Sequence, residues 1–147
     1  MIGLCIACLC QSQVSIEMEE LIKNHEGLSL EVYMDGPSIA VGYGHHIRYT
    51  EMEWVRDLEL GMEITEELAE LLFRYDMIHL VEPAPLEIKK DIGWTYPQIV
   101  YDIMGSIIYN IGLQGLKESD FYRLFKSKSY DEAFTELLLL KSREMGI

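Results

Sequence analysis

The sequence has few basic residues. Twelve lysines and arginines stand against 25 aspartates and glutamates, and the formal net charge at pH 7 is -13. Proteins that bind nucleic acid neutralise phosphates with basic side chains, so this balance argues against a nucleic-acid partner. The same excess of acid gives no electrostatic attraction toward other anionic surfaces.

Cysteine is also scarce, and all three cysteines fall within the first ten residues, at Cys5, Cys8 and Cys10. No histidine or further cysteine lies nearby at the spacing of a zinc finger, so we predict no metal site. Residues 1–10 are apolar and uncharged, but they are too short to span a bilayer and lack the basic start of a signal peptide. We interpret residues 1–14 as an apolar extension, either a weak export signal or a segment outside the fold.

The length and composition are those of a folded protein. At 147 residues, with 49% hydrophobic and 10% aromatic residues, the chain can bury a core without disulfides or a structural metal. We expect one domain or two small lobes and no stable membrane span.

Residues 24–46 are the most informative stretch. An apolar-periodic segment fits one face of a helix and stops at Gly27, a residue that tolerates the backbone of a helix C-terminus. Glu26 then lies in the last helical turn, where the partial negative charge of the helix end favours a carboxyl that keeps its proton, as a general acid must. Residues 28–34 and 39–43 are predicted strands, and the Asp-Gly-Pro-Ser sequence of residues 35–38 is a predicted turn.

These elements would place Glu26 and Asp35 at one cleft. Two carboxyls in different environments are the arrangement that separates acid and base roles in glycoside hydrolysis. The alternative is that both are ordinary surface acids, because 25 of the 147 residues are acidic. Spacing alone favours that alternative.

The residues around Glu26 and Asp35 favour the interpretation as a pair of catalytic carboxyls. The sequence H-E-G-L around Glu26, the eight residues between Glu26 and Asp35, and V-G-Y-G-H at residues 41–45 together resemble the phage lysozyme (endolysin) family, glycoside hydrolase family 24. The resemblance implies an α+β, mainly α fold. A small β-hairpin lobe, at about 27–62, and a helical lobe, at about 63–147 plus the first helix, would be joined by a long helix within a lysozyme-like domain at 15–147.

The resemblance also implies a function and a site. The chain would be a muramidase that hydrolyses the β-1,4 bonds between N-acetylmuramic acid and N-acetylglucosamine in peptidoglycan, without a metal or other cofactor. Glu26 would protonate the glycosidic oxygen and Asp35 would position or deprotonate water. In the family a histidine and an acid tie the hairpin to the long helix, and His45 and Asp76 occupy those places.

Ala40 departs from the family pattern. It stands where the family has a threonine whose hydroxyl, together with the aspartate, holds the attacking water. Asp35 alone would then hold the water, unless the shorter loop after Asp35 brings Ser38 within reach. Together with Ala40 and Ser38, Tyr43 is a candidate substrate-positioning residue.

The rest of the chain predicts helices at 65–81, 86–94, 97–111, 120–126 and 130–143, with a third strand or an irregular loop within 47–60. The helix at 97–111 is apolar nearly all round, which indicates a buried central helix. The sequence Y-N-I-G-L-Q-G-L at residues 109–116 resembles the family signature F-N-x-G-x-x-G. The chain stops at a point where family members usually continue.

Two functions follow as hypotheses. The first is an endolysin that acts as a monomer on peptidoglycan glycan strands, made in the host cytoplasm and acting in the periplasm or cell wall. The second is a catalytically weak or inactive protein of the same fold that binds wall glycan or forms part of a virion. Ala40, the shortened loop, the acidic surface and the early stop favour the second.

Overall fold

A computed structural model describes residues 13–48, 52–93 and 96–144, with side chains as far as residue 139. The predicted fold class is confirmed, because the chain is mainly helical with one small three-stranded sheet. The three cysteines and residues 1–12 lie outside the described part. The elements in chain order are α1 (Ile16–Glu26), β1 (Ser29–Asp35), β2 (Ser38–Gly42), β3 (His45–His46), α2 (Glu53–Arg56), α3 (Glu66–Asp76), a π-helical turn (Met77–Val81), α4 (Ala84–Ile92), α5 (Gln98–Glu118), α6 (Asp120–Lys126) and α7 (Tyr130–Glu144).

Helix α1 has the ends that its sequence predicts. The hydroxyl of Ser15 accepts a hydrogen bond from the backbone N–H of Met18, and Gly27 ends the helix with φ 74°. Ser15 also donates to Asp102 on α5, through its backbone N–H and through its hydroxyl, each at 2.8 Å. The start of α1 is therefore fixed to the helical lobe, and Glu26 lies at the opposite end of the helix.

The hairpin also forms where it was predicted. Asp35 pairs with Ser38 across a two-residue loop, and Gly36 has φ 57°, as a tight hairpin with glycine first requires. The prediction of a third strand or irregular loop within 47–60 was wrong in part. The third strand is β3, ahead of that region, because the chain reverses at Gly44 with φ 81°, and residues 53–56 form α2.

Helix α3 joins the two lobes. Thr65 caps its start by accepting from the N–H of Leu68, and the helix continues through the π-helical turn to Val81, as predicted. Its side chains belong to both hydrophobic clusters of the molecule. The small-lobe cluster contains Val32, Val41, Val55, Ile64, Ala69 and Leu72, and the larger cluster contains Phe73, Met77 and Val81 together with residues of α4 to α7.

Helix α5 is the central helix of the larger lobe. Val100, Met104 and Ile108 are buried, whereas Ile99 and Ile111 are exposed, so the helix is buried along one side and not all round as predicted. Its helical geometry is interrupted at residue 112, a glycine with φ 76°. No helix in the described ranges is long and apolar enough to cross a membrane.

Val14 belongs to the packed core, although the sequence analysis places it in the N-terminal extension. It is 8% exposed and joins the cluster of the helical lobe. It packs so closely against α5 that a methyl group built on Gly105 would overlap its Cγ2 atom and lie 3.3 Å from Val81 Cγ1. The packed part of the chain therefore includes Val14.

This contact makes Gly105→Ala destabilising. Alanine normally stabilises a helix over glycine by about 0.5–1 kcal/mol, but overpacking a core costs about 1–3 kcal/mol. We expect Gly105→Ala to lower the free energy of unfolding in urea by about 1–2 kcal/mol. In a Val14→Ala background the same change should cost much less, because the overlapping methyl group is gone. Equal costs in the two backgrounds would contradict the packing of Val14 on α5.

Candidate active site

Glu26 lies at the C-terminal end of α1 with an exposed side chain. A Cβ atom on Gly44 would lie 3.2 Å from Glu26 Oε2, and Gly44 has φ 81°, so glycine leaves room for this carboxylate. Glu26 lines a cavity of about 330 Å³. The other residues lining it are Gly27, Leu28, Ser29, Tyr33 and Gly42.

Asp35 lies at the end of β1, on a face of the sheet that the strand register defines. Asp35 is opposite Ser38, Tyr33 is opposite Ala40, and Ala40 is opposite His46. Directly paired residues project to the same side of a sheet, and so do residues two apart on one strand. All five side chains therefore share one face, which we call the Asp35 face. The register places the candidates Ser38 and Ala40 on this face.

Tyr33 relates the two candidate acids. Burial raises the pKa of the Tyr33 phenol, and the charges of Asp35 and then of Glu26 raise it further. Both carboxyl groups therefore act on one phenol, which also lines the Glu26 cavity. The sequence analysis missed Tyr33, although the register of a two-residue hairpin would have placed it on the face of Asp35.

His46 is the second residue that the sequence analysis missed. Its Nε2 atom lies 3.1 Å from Oδ2 of Asp35, and the side chains are 41% and 52% exposed. Ala40, opposite His46 on the Asp35 face, is fully buried. The candidate base thus has a partner on β3.

The side chain of Tyr43 packs between helices. Its hydroxyl donates to Glu70 on α3 at 2.9 Å, its ring is edge-on to Phe73, and the Lys23 ammonium lies 5.7 Å from the ring centre. Burial, followed by the hydrogen bond to Glu70, raises the pKa of this phenol. The Tyr43 carbonyl accepts from Tyr109 of α5 at 2.7 Å. Substrate positioning by Tyr43 stays a prediction, and the contacts described here give it a packing role.

His45 and Asp76 are in contact. His45 Nδ1 lies 2.8 Å from Asp76 Oδ2, and the side chains are 1% and 4% exposed. His45 is opposite Val41 and projects away from the Asp35 face, toward α3. The bond therefore joins the sheet to the end of α3, beside the π-helical turn.

A larger cavity of about 480 Å³ lies between β3 and the helical lobe. His46 and Arg48 line it on one side, and Tyr109 with the adjoining residues of the Y-N-I-G sequence lines it on the other. His46 thus borders both Asp35 and this cavity. Within the described residues, no group of three or more His, Cys, Asp or Glu side chains could hold a metal ion.

Residues 23–144 match the phage lysozyme family. The chain belongs to this family. It is 31% identical over 121 residues to an endolysin of Bacillus phage B103, covering 80% of this chain and 41% of that protein. The chain thus spans about two fifths of that relative.

Two solved structures share the fold. A mutant of P22 lysozyme is 30% identical, with a TM-score of 0.63 over 86% of this chain and 82% of the other. The muramidase domain of SpmX from Asticaccaulis excentricus is 25% identical, with a TM-score of 0.64 over 84% of this chain and 76% of the other.

The buried contact of His45 with Asp76 predicts a loss of stability in Asp76→Asn. Asparagine keeps an oxygen that can accept from His45 but loses the charge of the carboxylate, so the weaker buried bond should cost about 1–3 kcal/mol in free energy of unfolding. Asp35→Asn is the matched control, since it alters an exposed His–Asp pair on the other face of the same sheet and should cost less than about 1 kcal/mol. Urea unfolding of both variants measures the difference. Equal small losses would show that the buried pair contributes little.

Two buried tyrosines, Tyr96 and Tyr122, and the partly buried Tyr109 predict unfolding at alkaline pH. Burial, assisted by the charges of Asp76 and Glu26, raises the pKa of Tyr109, and burial likewise raises the pKa of Tyr96 and Tyr122. A group whose folded pKa is raised contributes stability below its unfolded pKa, about 10 for tyrosine, and loses it as the pH rises through the folded pKa.

Tyrosinate absorbance should therefore rise cooperatively, at the pH where circular dichroism reports unfolding. Tyr109→Phe should make stability above about pH 10 less steeply dependent on pH, because one linked proton is removed. Tyr130→Phe, which changes an exposed tyrosine, is the control. Ionisation of all nine tyrosines well below the unfolding pH would contradict the assignment.

Proposed function

We propose that the chain is a muramidase that hydrolyses the β-1,4 bonds between N-acetylmuramic acid and N-acetylglucosamine in peptidoglycan. The observation that supports the proposal is that Tyr33 lines one cavity with Glu26 and shares a face of the sheet with Asp35, in a chain of the phage lysozyme family. Its relatives are an endolysin, a lysozyme and a muramidase domain. The non-enzymatic alternative gains no support from these relatives.

The roles of the two acids follow from their positions. Glu26 lies at the carbonyl end of α1, where the helix dipole disfavours a negative charge and so favours a proton donor. It would protonate the glycosidic oxygen as the bond to the anomeric carbon breaks. Asp35 lies at a polar hairpin and would accept a proton from the water that attacks this carbon.

The site is open, so bound glycan must complete it. Both carboxyl side chains are exposed in the free protein. A glycan strand in the two cavities would exclude water from around Glu26 and strengthen its interaction with the leaving oxygen. The cavity lined by Glu26 has a volume of about 330 Å³, and the cavity lined by His46 has a volume of about 480 Å³. Sugar units would occupy both.

The site of action would be the bacterial cell wall. We propose synthesis in the host cytoplasm followed by action in the periplasm or wall, as a monomer. The net charge of -13 gives no electrostatic steering toward an anionic envelope, so binding would depend on contacts within the two cavities.

Glu26→Gln tests the proposal. Glutamine keeps the shape of the side chain but cannot donate the proton, so cleavage of purified peptidoglycan should fall by about 10²–10⁴-fold, with the melting temperature nearly unchanged. Glu17→Gln, an exposed glutamate on the same helix, should cleave at the wild-type rate. Release of reducing ends is the measurement. Wild-type activity in a folded Glu26→Gln variant would remove Glu26 as the acid.

A further inference from the structure

The contact between Asp35 and His46 crosses a whole strand. Asp35 is on β1 and His46 is on β3, and β2 lies between them. Neighbouring strands are about 4.8 Å apart, so the two backbones are separated by about 10 Å. His46 is level with Ala40, whereas Asp35 is level with Ser38. The imidazole must therefore pass diagonally over the Asp35 face of β2 to bring Nε2 within 3.1 Å of Oδ2.

Ala40 leaves the path for this ring. It is the residue of β2 directly opposite His46, and Tyr33 is opposite it on the other side. Its exposed fraction is 0%, so side chains cover its methyl group completely. A larger side chain at this position would occupy the space that the imidazole crosses, or would displace it. The small size of Ala40 and the path of the His46 ring thus depend on each other.

We infer that His46 is a positioning residue that holds the carboxylate of Asp35 for the attacking water. The inference rests on the proposed muramidase function. A carboxylate at an exposed hairpin end rotates freely unless a donor fixes it. Nε2 of His46 lies 3.1 Å from Oδ2, close enough for an N–H at this atom to donate to the carboxylate and so orient its remaining oxygen.

His46 is also placed to act where substrate would lie. It lines the cavity of about 480 Å³, so the residue beside Asp35 also borders a space in which a glycan would lie. The methyl group of Ala40 can neither donate nor accept a hydrogen bond, whereas the imidazole of His46, directly opposite it, can do both. Of the polar side chains on the Asp35 face, that of His46 is the one with a recorded contact to the Asp35 carboxylate, at 3.1 Å.

The alternative interpretation is that the contact between Asp35 and His46 is a surface ion pair without function. Pairs this exposed contribute little to stability, so unfolding measurements cannot separate the two interpretations. The turnover number separates the two interpretations, because a misplaced catalytic group lowers kcat by up to about 10²-fold while substrate binding is affected less.

The experiment compares His46→Leu with His46→Gln on purified peptidoglycan. Leucine cannot donate to Asp35, so we expect kcat to fall by about 10- to 100-fold, by a larger factor than any change in KM. Glutamine carries an N–H donor of similar reach and should retain most of the turnover. Arg123→Leu removes a similarly exposed ion pair on α6, with Asp120 at 2.9 Å, and should leave both constants unchanged.

Ala40→Thr tests the steric arrangement in the same assay. In the wild type it should lower kcat, because the added atoms displace the imidazole. In the His46→Leu background it should lower kcat less or raise it, because no imidazole remains to be displaced. Equal effects in the two backgrounds would overturn the link between Ala40 and His46.

The outcomes separate the inference from the function. A folded His46→Leu variant with the wild-type kcat overturns the positioning role alone, and the proposed function stands. Equal losses in His46→Leu and His46→Gln, accompanied by lower melting temperatures, would make the role structural and overturn it too. A folded wild-type protein that releases no reducing ends would refute the proposed function, and the inference with it.

Discussion

The close packing of the hairpin on α3 is the constraint on which the site depends. A Cβ atom on Gly42 would lie 3.3 Å from Ala69 Cβ, so β2 and the helix approach to a distance that only small residues permit. The bond between His45 and Asp76 closes the same interface at the end of the helix. With one face of the sheet fixed in this way, the direction of the other face, which carries Asp35, is fixed as well.

Strand β3 shows how the two faces divide stability from function. Its two consecutive histidines point to opposite sides and each meets an aspartate. The pair on the α3 side is buried, where a polar bond is strong and its loss is costly. The pair on the Asp35 face is exposed, and exposed ion pairs contribute little to stability. A change in the second pair should therefore alter the stability of the fold little, whatever its part in the proposed reaction.

The parts of the fold that local sequence signals determine could be predicted. The end of α1 at Gly27 and the turn at residues 35–38 each depend on a few neighbouring residues, and both were predicted. Ser15 and Thr65, which cap α1 and α3, are likewise of residue types that favour these positions. The residue positions of the candidate acids followed from the same local signals.

The parts that depend on distant pairing could not be predicted. The third strand required a chain reversal at Gly44, whose positive φ cannot be read from the residue type alone. Without β3 there was no reason to place His46 beside Asp35, since eleven positions separate them in the sequence. Burial of Val14 likewise depends on Gly105, far along the chain. In each case the missing fact was a tertiary contact and not a local preference.

An open site places a particular demand on these tertiary contacts. Many enzymes adjust a catalytic group by burying it, but Glu26 and Asp35, the proposed acid and base, are both exposed in this structure. The orientation of these two carboxyl groups then matters more than their burial. Gly44 leaves room for one carboxylate, and His46 contacts the other from across the sheet. Because Gly44 and His46 belong to the sheet that packs on α3, the proposed glycan substrate would need to supply only the exclusion of water.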